Sequence, residues 1–378
     1  MAVTETRNEI DILCRLCALH LGVPADVKGL AAGTASWDKF QAAAKRENIE
    51  GLVYHVMREN AILNAVPDWI SSHLLNGYLK TKAKNLLFAD ELKRTADILG
   101  SGRIRAVIIK GAAYLKYCYP DRGLRVMDDI DLVVDGAAYD KARNCLISRG
   151  YRSDPNYESK IFSPCGVLFD MHRDAFDADR IRSREYYCRW DMDDVWEKSV
   201  PYAPDGKYVR YVSPVDQIVL SCVHHEKHSY TSLMHFLDIA VLARGLEGKT
   251  CSGEFLERVR RTGGARAVYF NFALIKRLFG LDIKLVDADD LLDRPLSMFE
   301  KKIFARAANR EKIGMAGTIM PVFGIKGGRR KLIYLLENIF PRPRTMREIY
   351  NIRHNALLIC YYPYRLIKLA LGRKQSGR

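Results

Sequence analysis

From Glu5 to about Arg103 the apolar residues recur at helical spacing: Ile10, Leu13, Leu16, Cys17 and Leu19, then Phe40, Ala44 and Ile49, then Leu75, Tyr78 and Leu79 and onward to Leu92 and Ile98. Apolar positions three and four apart share one helix face, so this stretch predicts an all-helical leader. At Ala106–Ile109 the period changes. The run AVII is short, β-branched and bounded by Lys110-Gly111, which predicts a buried strand, with a short helix over Ala112–Tyr117 after it. Ile130–Val134 predicts a second strand and Gly136–Arg149 a helix stopped by Gly150. Lys160–Phe162 and Val167–Met171 are two more extended runs, and Ser163-Pro164-Cys165-Gly166 between them suits a hairpin turn. The centre is therefore mixed α/β. Beyond Ser213-Pro214 the helical period returns in Val215–His224, Leu233–Ala243, Phe255–Arg261, Ala267–Phe279 and Met298–Ala308, and Gly324–Gly328 reads as a joint. The expected organisation is a helical region over 1–103, an α/β core over 104–212, a helical domain over 213–323 and a basic tail over 324–378, with no internal repeat.

With 378 residues, 48% of them hydrophobic and 28% charged, the chain can bury a substantial core, which argues against a disordered protein. Its net charge of +15 favours phosphate-bearing partners. That charge is uneven: residues 324–378 hold 13 lysines and arginines against only Glu337 and Glu348, so +11 of the +15 lies in the tail. A tail block suits a docking surface, such as peripheral contact with an anionic membrane, and suits a merely solvated end equally well. Nucleic acid is the weaker fit, because the aromatic-basic interleaving of Tyr361, Tyr362, Tyr364, Arg365, Lys368, Arg373 and Lys374 lies in the tail and not beside the candidate chemistry. No secretory leader and no membrane-spanning run is visible, the nearest being Asn355–Gly372 with Pro363, Arg365 and Lys368 inside it, so a cytoplasmic protein is expected. Nine cysteines at irregular spacing suit reduced thiols, and Cys14 and Cys17 read as core residues.

The chemistry concentrates in the α/β block. Asp129-Ile130-Asp131 opens an apolar strand, and residues two apart on a strand share a face, so both carboxylates converge. Two carboxylates side by side repel unless a cation or proton compensates them. Oxygen-coordinated Mg²⁺ is the usual compensator where phosphates react. Asp170, in Leu168-Phe169-Asp170-Met171-His172, can join them if its strand pairs beside the first, and three carboxylates can hold two metals roughly 3.5–4 Å apart. Asp170 then lies beside the attacking hydroxyl as ligand and general base. Upstream, Lys110-Gly111 joins a strand to a helix start, where backbone N–H groups and a compact positive charge can hold a phosphate. Arg125 precedes the acidic pair, placed to hold a phosphate or to anchor its loop on a carboxylate. A lone DxD occurs by chance and a lone KG is commonly a helix cap. The order of the three is the signal.

The run IIKGAAYLKYCYPDRGLRVMDDIDLVVD, followed by LFDMHRD, resembles the bacterial nucleotidyltransferase family proteins of the polymerase-β-like superfamily. That resemblance implies an α+β fold whose polymerase-β-like core, a small mixed sheet with helices, is flanked by N-terminal and C-terminal helical regions. It also implies a nucleoside triphosphate as substrate and Asp129, Asp131 and Asp170 as catalytic metal ligands. Lys110-Gly111 stands where the superfamily usually has Gly-Ser or Gly-Gly, a departure that suggests a differently gripped triphosphate. The likeness spans about residues 75–370, including His225-Glu226-Lys227-His228 with Phe236-Leu237-Asp238-Ile239-Ala240.

The expected reaction is transfer of a nucleoside monophosphate to a hydroxyl of an acceptor that the sequence does not identify: a small molecule, glycan, peptide or protein. A catalytically silent nucleotide- or partner-binding scaffold is the alternative from another class, and an RNA-directed transferase a third; retention of all three carboxylates argues against the silent form. His224, His225, His228, His235 and Asp238 have spacing that could hold a second metal, although a helix-pair hydrogen-bond network is the commoner role of buried histidine beside an aspartate. His172 is expected to support the metal ligands from behind.

Overall fold

The computed structural model describes residues 2–27, 36–203, 206–314, 316–350, 352 and 354–370. Arg373 and Lys374 of the basic tail lie outside them. The leader is helical as expected: α1 (Ala2–His20), α2 (Trp37–Arg46), α3 (Glu50–Glu59) and α4 (Asp68–Ser101). Ser36 caps α2 through its side chain, and Pro67 ends the preceding turn before the 34-residue α4.

A seven-stranded mixed sheet follows, in the order β3-β4-β5-β2-β1-β7-β6. β1 (Ala106–Ile109) leads into α5 (Lys110–Tyr117), β2 (Ile130–Val134) into α6 (Tyr139–Ile147), and β3 (Arg152–Ser153), β4 (Lys160–Phe162) and β5 (Leu168–His172) complete one side. α5 starts two residues before the expected Ala112. The β4–β5 hairpin is as expected, closed by Ser163 and by Gly166 at φ +82. After α7 (Met192–Lys198), β6 (Val200–Pro201) and β7 (Val209–Tyr211) build the other edge. These were not expected, since two- and three-residue strands are too short to display a period and form only because β7 finds β1.

Every residue of β1 and β2 is buried, so the centre of the sheet is covered on both faces. The remaining helices are α8 (Pro214–Lys227), α9 (Leu233–Leu246), α10 (Ser252–Thr262), α11 (Ala265–Phe279), α12 (Met298–Ala308), the short α13 (Ala316–Ile319) and α14 (Pro321–Gly324), then α15 (Gly328–Ile339), α16 (Pro343–Tyr350) and α17 (Leu358–Ala370). Ser213 caps α8 with Pro214 at its first turn, and Ser297 with Glu300 forms a capping box on α12. One hydrophobic core runs from Ile10 through the sheet to Tyr334 and joins leader, sheet and C-terminal helices up to that residue.

Candidate active site

β2 and β5 run parallel as neighbours, and their register sets Asp131 opposite Asp170. Registered residues project to the same side of a sheet, so two carboxylates remote in sequence meet. His172, two residues beyond Asp170, returns to that side. Its Nε2 lies 2.9 Å from Asp131 Oδ1 and 3.7 Å from Asp170 Oδ2. One ligand atom from each of Asp131, Asp170 and His172 lies within 4.8 Å of the others, and no other such trio of histidine, cysteine or acidic side chains occurs among the described residues. His172 thus stands in the group itself, where sequence reasoning had put it behind the ligands. The signal was present: the alternation that pairs Asp129 with Asp131 also pairs Asp170 with His172.

Asp129 is half-buried one pleat before Asp131 and lies outside that 4.8 Å trio. It still feels the group. Burial, then the charges of Asp131 and Asp170, push its carboxyl up to about 6 against the pull of Lys110. Asp131 goes the other way: burial opposes ionisation, but the Lys110 ammonium and the His172 hydrogen bond together hold its carboxyl at about 2.

β1 ends with Ile109 in register with Asp131, so the next residue, Lys110, reaches across with Nζ 2.6 Å from Asp131 Oδ1. Lys110 has φ +53, the left-handed region that costs a residue with a Cβ about 1–2 kcal/mol. Its N–H donates to Gln217 Oε1 of α8 at 2.9 Å, which pins the turn. Backbone strain of this kind collects at functional sites. Gly111 is required by close approach: a Cβ there would lie 2.9 Å from both Arg125 Nη1 and Met127 Sδ.

The loop before Asp129 is held from α4. Asn85 donates to the carbonyls of Arg122 and Arg125 at 2.7 Å each, and Tyr78 donates to Asp121 at 2.8 Å. A Cβ on Gly123 would fall 2.2 Å from the Tyr78 ring, so the loop lies directly on the helix. Arg125 takes the second of its two expected roles. Buried, it donates from Nε and Nη2 to both oxygens of Asp238 at 2.8–3.1 Å, and its plane lies over Tyr114. Asp238 is thereby engaged by Arg125.

Behind His172 lies Asp177, with its Oδ1 3.8 Å from Nδ1. Asp177 accepts from Lys227 at the end of α8 and from Arg184 at 3.1 Å. Burial raises the Asp177 carboxyl, yet Lys227, Arg184 and His172 outweigh it and hold the group well below the usual range. These partners are remote in sequence, so no local pattern marks them. The rings of His224, His228 and His235 cluster at 4.5–5.6 Å between centroids, and His225 Nδ1 bonds Asn271 Oδ1 at 2.8 Å. Burial holds His224, His225 and His235 neutral, which suits ring packing, and they form none of the ligand trios among the described residues. Cys14 and Cys17 are buried free thiols.

Residues 33–280, well over half of the chain, match the family described as uncharacterised nucleotidyltransferase. The chain belongs to that family. Neither a curated protein nor a solved structure matches it. The matched segment of this nucleotidyltransferase family member contains Lys110, Asp129, Asp131, Asp170 and His172, and it stops before α12. Nucleotidyl transfer calls for a divalent cation and a place for phosphates. The residues fit the cation, since Asp170 Oδ1 is buried without a hydrogen-bond partner among the described residues and the group is rich in carboxylate oxygen.

Proposed function

We propose that this protein transfers a nucleoside monophosphate from a nucleoside triphosphate to a hydroxyl of its acceptor, using a polymerase-β-like core. Asp129, Asp131 and Asp170 would hold Mg²⁺, with His172 beside them. The observation that carries this reading is the Asp131–Asp170 register, which concentrates carboxylates on one side of the sheet next to a buried ammonium. A bound Mg²⁺ would draw charge from phosphate oxygens and make the acceptor hydroxyl more acidic.

The chain's own groups divide the remaining work. Lys110 is close enough to the acidic group to move from Asp131 to a phosphate oxygen. Asp170 takes the acceptor proton as the hydroxyl oxygen forms its bond to the α-phosphorus. The bond from that phosphorus to the β-phosphate bridge oxygen breaks, and pyrophosphate leaves. Asn85 and the Arg125–Asp238 pair position the loop that carries Asp129.

The test is incubation with each α-³²P-labelled nucleoside triphosphate and Mg²⁺, alone and with cell extract. Label on an acceptor that disappears in Asp129→Asn and Asp131→Asn variants is the expected result. Equal labelling by wild type and both variants would overturn the reading.

A further inference from the structure

We infer that α15 and α17 form a docking surface for an anionic lipid bilayer, independent of the nucleotidyl-transfer site. The ground is the inverted polarity of α17. Its inward stripe is Leu358, Tyr361, Tyr362, Arg365 and Lys368, all buried or half-buried. Arg365 is spent on backbone, donating to the carbonyls of Ile339 at 3.1 Å and Asn338 at 2.7 Å, and Tyr362 donates to the Pro341 carbonyl at 2.6 Å. Facing outward are Ile359 at 79% exposure, Cys360, Pro363, Tyr364, Leu366 at 41% and Ile367 at 58%. None of these carries a charge. A surface helix ordinarily turns its apolar stripe inward and its charges to water, so α17 is built the wrong way round for a helix that stays in water.

The neighbouring elements expose further apolar side chains. On α15, Leu332 and Leu336 are exposed, as is Phe340 just after it, whose ring meets Tyr362 at 6.3 Å. Leu332, Leu336 and Phe340 do not belong to the continuous core. Glu337 fastens α15 to the body by accepting from the N–H groups of Arg182 and Ser183. The same segment, of net +11, also exposes Lys326, Arg329, Arg330, Arg342, Arg344 and Arg347, of which Arg342 pairs with Glu337 and Arg344 with Glu158 and Glu348.

Charge and apolarity together select the occupant. Nucleic acid would take the cations and leave Ile359, Leu366 and Ile367 in water. An anionic bilayer takes both, with cations at the headgroups and aliphatic side chains in the acyl boundary. No helix among the described residues is long and apolar enough to cross a membrane, so the contact lies in the plane of the interface.

The experiment floats the full-length chain with phosphatidylcholine vesicles and with vesicles of two parts phosphatidylcholine to one part phosphatidylglycerol, at low and high salt. Binding is expected only with phosphatidylglycerol and should fall by about tenfold or more at high salt. The triple variant Ile359→Asp, Leu366→Asp, Ile367→Asp should lose about tenfold or more at low salt while its circular dichroism and melting temperature stay at wild type. A second variant, Lys326→Glu with Arg329→Glu, should bind less and respond less to salt. Wild type that ignores the anionic vesicles at low salt overturns the inference, as does a triple variant that floats like wild type. So does a wild-type dimer that the triple variant dissolves, with no vesicle binding, because the face then serves self-association. None of these readouts depends on turnover, so failure here and failure of the nucleotidyl-transfer reading are separable.

Discussion

Asp131 and Asp238 are both buried aspartates joined to a basic side chain, yet their surroundings differ. Asp238 meets Arg125 one to one, and the guanidinium covers both carboxylate oxygens. At Asp131 a single oxygen is shared by Lys110 and His172, two more aspartates crowd the group, and Asp170 Oδ1 has no hydrogen-bond partner among the described residues. The first arrangement is closed and holds the structure. The second is left short of compensation, as expected where a cation and phosphates are to arrive.

The largest effect should come from breaking the unbalanced side. Asp129→Asn and Asp170→Asn each remove a carboxylate that is not the ion-pair partner of Lys110, so transfer should fall about a thousandfold or more with little change in melting temperature. Initial rates at saturating Mg²⁺, beside a thermal melt, decide it. Retained turnover would mean that the crowding of acids is structural after all.

Breaking the balanced side should do the reverse. Arg125→Met leaves Asp238 buried and uncompensated, a loss of about 3–5 kcal/mol in denaturant unfolding. Adding Asp238→Leu should recover most of it, because no buried carboxylate is then left unpaired. A single variant as stable as wild type would contradict the pairing.

The order strand, KG turn, DxD strand, then a strand with one aspartate was legible because strand alternation is local: Asp129 and Asp131 are two apart, and so are Asp170 and His172. Ser213-Pro214 likewise marked the start of α8. What lay hidden depends on distant partners. The choice of Asp238 by Arg125, the hold of Asn85 on the loop and the N–H bond from Lys110 to Gln217 each span dozens of residues. The inversion of α17 was also hidden, because an amphipathic pattern gives two faces and not which of them meets the protein.

A third test asks whether a buried acid outside the site stays structural. Glu226 accepts from Tyr187 at 2.6 Å and Tyr230 at 3.4 Å, and burial pushes its carboxyl up to about 7 from 4.5, with the tyrosine hydrogen bonds pulling down. A folded-state pKa above the unfolded one means that the native protein holds the proton more tightly. Its contribution is therefore complete below pH 4.5, is lost as pH rises toward about 7, and is constant above. The loss is up to roughly 3 kcal/mol. Unfolding free energies of wild type and Glu226→Gln should thus diverge across that window, with wild type falling relative to the variant. Parallel pH curves would remove the claim.

The smallest effect separates two roles of Lys110, its ammonium and its backbone. Lys110→Ala and Lys110→Gly both delete the charge, so both should raise the KM for the nucleoside triphosphate by about tenfold, equal to one lost charge-assisted contact of about 1.4 kcal/mol, with kcat changing less. They differ in the chain itself. Alanine keeps a Cβ at φ +53, whereas glycine adopts that conformation freely, so the glycine variant should be more stable by about 1 kcal/mol. Steady-state kinetics and denaturant melts of the two variants give a two-by-two outcome. An equally raised KM with unequal stability supports the assignment. A KM defect confined to alanine would instead place the contribution in the backbone turn, and unchanged KM in both would leave Lys110 as only the partner of Asp131.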